Sequence, residues 1–249
     1  MDNIYCKNIK IPASRAGYDG TLTVDGLASE FLDIAGEHAN HLGCGIADID
    51  KAGLFWLTVK TRLEISRLPA LGEETQLYTW PEAPEKYRGN RDYRLKAGNE
   101  VLAEGKTEWA IMNLQTGRFA LPADVYPEGL EICDDLTCPA PFLKMSGAFD
   151  CEPFAVTTIK STDIDLGRHM NNVAYIRAIM SLFSSTQLRE MNIRAFEIDY
   201  KSQCREGEEI VWKRRDEENM IWLKGECGGK TAVLAVIECG IRNAECGIK

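Results

Sequence analysis

The sequence predicts an α+β protein made by duplication, each half a long amphipathic helix followed by antiparallel strands. Three observations carry this: matched helical spacings, alternating strands after each helix, and the same turn landmarks in the same order. Val24, Leu27, Phe31 and Ile34 step by three, four and three residues, and Val173, Ile176, Met180 and Phe183 step identically. Both sets fall on one face of a 3.6-residue period. Leu22, Leu32 and Ala35 in one half, and Ile179 and Leu182 in the other, widen the apolar stripe. Each helix is therefore expected to be wrapped by other structure.

Strands follow. Phe55, Leu57, Val59, Leu63 and Ile65 alternate with Trp56, Thr58, Lys60, Arg62 and Glu64, the period of two of a half-buried antiparallel strand. Phe196, Ile198 and Tyr200 alternate with Glu197, Asp199 and Lys201 in the same way, a pattern that puts Cys204 on the apolar face and Gln203 opposite. A Gly-Glu-Glu turn comes next in both halves, at Gly72 and Gly207, 135 residues apart. Trp80 and Trp212 then mark one strand pair, and Val101-Leu-Ala and Val233-Leu-Ala another, each 132 residues apart. The helices lie 149 residues apart, so the first half holds about fourteen extra residues, assigned to the glycine-bearing loop 41–53. Five prolines between 121 and 153 mark a linker. The predicted organisation is an N-terminal unit 1–120, a linker 121–153 and a C-terminal unit 154–249. Two such units packed together would cover each other's helices.

With 249 residues, 45% hydrophobic and 27% charged, the composition is that of a globular protein with material for a full core. The net charge of −9 argues against nucleic acid as a partner. Nine scattered cysteines, an odd number, favour reduced thiols in the cytoplasm over a disulfide framework. Cys133 and Cys138 have neither CxxC spacing nor a neighbouring histidine, so no metal site is expected. No cofactor is expected either. The N-terminal residues lack an apolar signal region and no window approaches a membrane span, so no membrane association is expected.

The densest chemistry lies in residues 163–175, Asp163-Ile-Asp165-Leu-Gly167-Arg168-His169-Met-Asn171-Asn172-Val-Ala-Tyr175. A capping loop is one reading, since Asp and Asn oxygens accept orphan backbone N–H groups. The first half, however, has only Ala16-Gly-Tyr-Asp19-Gly-Thr-Leu before its helix, with no histidine. The cluster is thus an addition to one half and not a requirement of the fold. Asp165 and His169 are four residues apart, and a carboxylate beside an imidazole would fix its tautomer and raise its basicity. A helix N-terminus adds N–H donors for an oxyanion. The set suits hydrolysis of an activated carbonyl. His38 and His41 read as surface groups, or as partners of the helix dipole, near the end of the first helix.

The run Asp163-x-Asp165-x-x-x-His169-x-Asn171-Asn172-x-x-Tyr175 resembles the signature of acyl-acyl carrier protein thioesterases, double-hotdog enzymes. Arg91-Asp92-Tyr93 is similar to that family's Arg-Asp-Trp segment, and Tyr200-x-x-Gln203-Cys204 to its Tyr-x-x-Glu-Cys. The resemblance spans nearly the whole chain. It implies a tandem hotdog fold, release of free fatty acids from acyl carrier protein in fatty acid biosynthesis, and an acyl chain lodged mainly in the first unit. Leu27, Phe31 and Ile34 are candidates for lining it, and core packing explains them equally well.

The chain departs from the family pattern at two places, Gly167 for asparagine and Gln203 for glutamate. Gln203 accepts no proton at neutral pH, so the base role falls on Asp165 with His169, and Gln203 is left to orient water. Gly167 is expected to adopt positive φ and turn an amide toward the thioester carbonyl. Cys204 is either a nucleophile or a packed thiol. Arg168, Asn171, Asn172 and Arg91 are the expected substrate-binding residues. Arg168 would meet a phosphopantetheine phosphate. Lys86, Arg88, Arg91, Arg94, Lys96, Lys213, Arg214 and Arg215 are candidates for a basic surface facing the acidic carrier protein. A coenzyme A thioesterase and a non-catalytic acyl-binding protein are the rival readings, and a homodimer through outer sheet edges is left open.

Overall fold

The computed structural model describes residues 3–149 and 151–240, in two compact units, Met1–Pro141 and Phe142–Lys249. In the N-terminal unit, β1 (Tyr5–Lys10) precedes α1 (Val24–His41) and the short α2 (Ile46–Asp50). Then come β2 (Leu54–Ile65), β3 (Glu74–Pro81), β4 (Gly89–Ala97), β5 (Glu100–Asn113) and β6 (Phe119–Ala120). All pairings are antiparallel, in the order β1-β3-β4-β5-β2, with β6 on β5. The C-terminal unit has β7 (Pro153–Thr158), α3 (Asn172–Met180), α4 (Ser185–Met191), β8 (Ile193–Tyr200), β9 (Glu209–Glu217), β10 (Met220–Cys227) and β11 (Lys230–Cys239). Its order, β7-β9-β10-β11-β8, repeats that of the first unit strand for strand.

Each unit thus begins with a strand that the alternation read from sequence did not announce. Elsewhere the repeat extends to individual bonds. Gly72 N–H donates to the Ile11 carbonyl at 2.9 Å, and Gly207 N–H to that of Ile159 at 3.0 Å. Both glycines have positive φ, 76° and 81°, which a side chain would oppose. The Glu73 carboxylate accepts the Ala70 N–H at 2.8 Å, and that of Glu208 accepts the Arg205 N–H at 2.7 Å. Trp80 and Trp212 are both buried, their indole N–H groups donating to Asp135 O and Thr157 Oγ1.

Helix α1 carries the expected apolar face: Val24, Leu27, Phe31 and Ile34 are buried, and Thr23 caps it by accepting the Gly26 N–H. Phe31 stacks on Tyr93 of β4 with centroids 4.9 Å apart, and its ring occupies the space above Gly105 of β5, where a Cβ would come within 2.5 Å. The second helix departs from expectation. It stops at Met180, and a capping box of Ser184 and Gln187 opens α4, so Phe183 is buried between two short helices. The extra residues 41–53 form α2 and its flanking turns.

The proline-rich stretch expected as a linker is divided between the units. Its first part straps onto the first sheet. Besides the Trp80 bond, Arg94 Nη1 donates to Asp135 Oδ2 at 2.7 Å, and Lys106 Nζ to the Cys138 carbonyl at 3.3 Å. The Thr137 hydroxyl donates to Asp92 Oδ1 at 2.7 Å. Asp92 is fully buried, and among the described residues its Oδ2 has no partner. Burial pushes its carboxyl up to about 7, outweighing Thr137 and Lys106, which pull it down, while Glu82 adds to the rise. The folded state therefore holds a proton that the unfolded chain, with an aspartate near about 3.9, releases. Stability is expected to fall as pH rises from about 4 to about 7, by an amount on the order of a few kcal/mol. Asp92→Asn keeps an acceptor for Thr137 and should flatten that limb in denaturant unfolding followed against pH.

Candidate functional site

The cluster read from sequence forms a tight hairpin. Ile164 and Met170 face each other as an antiparallel bridge, Asp165 N–H donates to His169 O, and Arg168 N–H donates to Asp165 O, both at 3.0 Å. Leu166, Gly167 and Arg168 thus make a three-residue loop whose last member must be left-handed. That member is Arg168, at φ 61°. Gly167 does not take positive φ, which corrects the expectation for it. Its N–H is turned inward and donates to Asp165 Oδ1 at 2.8 Å. The first unit has the same hairpin, with an Ala16–Leu22 bridge and Gly17 N–H donating to Thr21 O, and there Gly20 holds the left-handed position at φ 76°.

Asp165 and His169 meet, but through the main chain. Asp165 Oδ1 receives the Gly167 N–H and, at 3.5 Å, the His169 N–H. The carboxylate therefore organises the loop and does not set the imidazole tautomer, as the four-residue spacing had suggested. The spacing is that of a hairpin, not of a helical turn. Among the described residues, the His169 ring and the Arg168 guanidinium have no hydrogen-bond or ion-pair partner. Both Asp165 and His169 are half-buried, and Arg168 is exposed. One carboxylate oxygen and one imidazole are thus available to a ligand from a single rigid turn.

Capping accounts for part of the cluster. Asp163 Oδ2 accepts the Lys160 N–H at 2.9 Å and closes the one-turn helix Ser161–Asp163. Asn171 is the N-cap of α3, its Oδ1 accepting the Val173 N–H at 2.7 Å. Asn172 is the first helical residue, and its carbonyl accepts the Tyr200 hydroxyl at 3.1 Å.

The hairpin is tied to the loop after β8 by one bond, Met170 N–H to the Cys204 carbonyl at 2.8 Å. The strand ends at Tyr200, so the alternation extrapolated to residue 204 does not hold: Gln203 and Cys204 belong to the loop 201–208, Gln203 exposed and Cys204 fully buried. Glu197 and Asp199 are buried as well, so β8 is covered on both faces. The Cys204 thiol lies against Tyr175, whose hydroxyl is held well above its usual range by burial and by that thiol. Tyr175 and Tyr200, named in the sequence only as motif landmarks, lock α3 to this loop with rings 5.7 Å apart.

Other expectations are corrected. Arg91 is buried and not part of a surface patch; its Nη1 contacts His38 Nδ1 at 3.0 Å and donates to Thr79 Oγ1 at 3.3 Å. His38 is accordingly a core residue, while His41 is exposed and bonds through Nδ1 to the Glu37 carbonyl. Most of the expected basic residues are neutralised: Arg88 by Glu108, Arg94 by Glu104 and Asp135, Lys213 by Glu226, Arg214 by Asp216 and Arg215 by Glu217. Among the described residues no helix is long and apolar enough to cross a membrane.

Residues 2–130 match the acyl-ACP thioesterase N-terminal domain and residues 151–231 the acyl-ACP thioesterase C-terminal domain. The chain belongs to the acyl-ACP thioesterase family. An oleoyl-acyl carrier protein thioesterase of Coriandrum sativum is 26% identical over 218 residues, 80% of this chain and 59% of the relative. A palmitoyl-acyl carrier protein thioesterase of Gossypium hirsutum is 25% identical over 215 residues, 81% of this chain and 52% of the relative. The chain thus spans between half and three-fifths of the length of these curated relatives. An acyl-ACP thioesterase structure from Bacteroides thetaiotaomicron superposes with a TM-score of 0.88 at 24% identity, covering 96% of this chain and 98% of that one. The 12:0-ACP thioesterase of Umbellularia californica gives 0.77 at 16% identity, covering 96% and 97%. The fold is α+β, a tandem hotdog.

The family hairpin here carries an arginine where the first unit has glycine, and a left-handed L-residue costs roughly 1–2 kcal/mol. Arg168→Gly should therefore stabilise the chain by about 1 kcal/mol, and Gly20→Ala, which meets open space, should destabilise it by a similar amount. Shifts of the urea midpoint in opposite directions are the expected result.

Proposed function

We propose that this chain is a thioester hydrolase that releases free fatty acid from acyl-acyl carrier protein in fatty acid biosynthesis. Membership of the acyl-ACP thioesterase family supports it, as do the oleoyl- and palmitoyl-carrier activities for which its relatives are named. The observation that carries the reading is the hairpin 164–170. It repeats a loop of the first unit bond for bond, yet adds Asp165 and His169 with a free carboxylate oxygen and a free imidazole.

In the proposed reaction, Asp165 accepts a proton from water while His169 supports the same water, and Gln203 Oε1 orients it. The water oxygen bonds to the thioester carbonyl carbon, and first-turn amides of α3 hold the oxyanion. The C–S bond then breaks, the proton passes to the departing thiolate, and the fatty acid and free carrier thiol leave. Cys204 is not the nucleophile in this reading, because a fully buried thiol against Tyr175 is a poor one. Arg168, exposed beside the hairpin, is assigned the phosphate of the carrier's pantetheine arm. We place the protein in the cytoplasm, where the eight described cysteines, all free, would stay reduced.

Hydrolysis measured on a panel of acyl carrier protein and coenzyme A thioesters decides between the carrier enzyme and its coenzyme A rival. No turnover on either panel would leave only an acyl-binding protein. Asp165→Asn should lower kcat at least about 100-fold, and Cys204→Ala should keep it within about tenfold. The reverse pattern would make Cys204 the nucleophile. Arg168→Gln should raise KM for the acyl carrier substrate several-fold with kcat little changed, and added salt should mimic it in the wild type.

A further inference from the structure

We propose that Cys204, Glu208 and Cys227 form a binding site for one thiophilic divalent cation, Zn²⁺ above all, in the C-terminal unit. The two thiol sulfurs and a Glu208 carboxylate oxygen all lie within 4.8 Å of one another. Cys227 Sγ is 3.4 Å from Glu208 Oε2. A tetrahedral zinc ion with Zn–S of about 2.3 Å and Zn–O of about 2.0 Å separates sulfur from oxygen by about 3.5 Å and the sulfurs by about 3.8 Å. The Cys227–Glu208 edge already has that length, and the other two fall within the 4.8 Å bound.

The scaffold is fixed before any metal arrives. Met170 N–H holds the Cys204 carbonyl, Gly207 N–H holds Ile159 O, and Arg205 N–H donates to Glu208 Oε2, orienting the carboxylate from outside as ligand-supporting groups do. Cys227 comes from the end of β10, which pairs with Ile210 just beyond the loop. Cys204 is buried, Cys227 half-buried and Glu208 exposed, so three protein ligands face a fourth position open to solvent.

The duplicated loop of the first unit shows what is missing. There Glu73 is neutralised by Arg67, Nη2 to Oε1 at 2.9 Å. Ser202 stands where the repeat places Arg67, Cys204 where it places Pro69, and the glutamate faces thiols instead of a guanidinium. Binding would release the thiol protons and leave two thiolates on the metal.

The test uses the whole chain, reduced and stripped with a chelator, then titrated with Zn²⁺ alone against a chromophoric competitor, and separately with Co²⁺. One equivalent of zinc and a thiolate-to-cobalt charge-transfer band are expected. Cys227→Ser should weaken zinc binding at least about tenfold and remove the band, and Glu208→Gln should weaken it several-fold. Unfolding midpoints near the wild-type value would show that the variants fold. Zinc bound equally well by Cys227→Ser overturns the site, as does a wild type without the cobalt band. Two thiols lost to a Cys204–Cys227 disulfide in reduced, chelated protein would overturn it too. The readout is metal, not turnover, so a failure here leaves the proposed reaction untouched.

Discussion

The hydrogen bond from Met170 N–H to the Cys204 carbonyl joins the two loops of the candidate site. On one side stands the hairpin with Asp165 and His169; on the other stands the loop that carries Gln203, Cys204 and Glu208. The bond is part of the fold's own grammar, since Leu22 N–H makes the same bond to Pro69 O in the first unit at 2.8 Å. A main-chain bond of this kind is indifferent to side chains. The side chains around it were thus free to differ between the units while the backbone geometry stayed put.

Buried polarity is the second constraint. The first unit encloses Arg91, His38, Thr79, Asp92, Thr137 and Lys106 in and beside its sheet. Such groups are tolerated inside a protein only when they bond to one another. Arg91 faces His38, and Asp92 faces Thr137 on the strap. The strap is therefore not a passive tether: through Thr137 it supplies a partner to Asp92 Oδ1 that the sheet alone would not.

Much of this was legible in the sequence, and the failures have physical causes. Period and spacing exposed the duplication, α1, the Gly-Glu-Glu turns and the uniqueness of Asp165 and His169. Phe183 carried the right helical spacing but follows a helix end, and the signal for that end, Ser184 three residues before Gln187, was readable as a capping box. His38 continues the stripe of Leu27, Phe31 and Ile34, which marks it as inward; its partner Arg91 lies 53 residues away, beyond the reach of periodicity. Strand β8 stops at Tyr200, so Cys204 is buried and Gln203 exposed by the course of the loop and not by strand parity. Cys227 meets Cys204 only because β9 and β10 fold back, and no local pattern records that.

The two hairpins have one further consequence. Residues 16–22 reproduce the backbone of residues 164–170 with a glycine at the left-handed position and no imidazole. The molecule therefore carries its own blank, a matched loop on which the fold's demands can be read apart from those of chemistry. Arg168 stands out against that blank. A shape that glycine would hold without strain is held by a charged side chain, at a folding cost that the first unit does not carry.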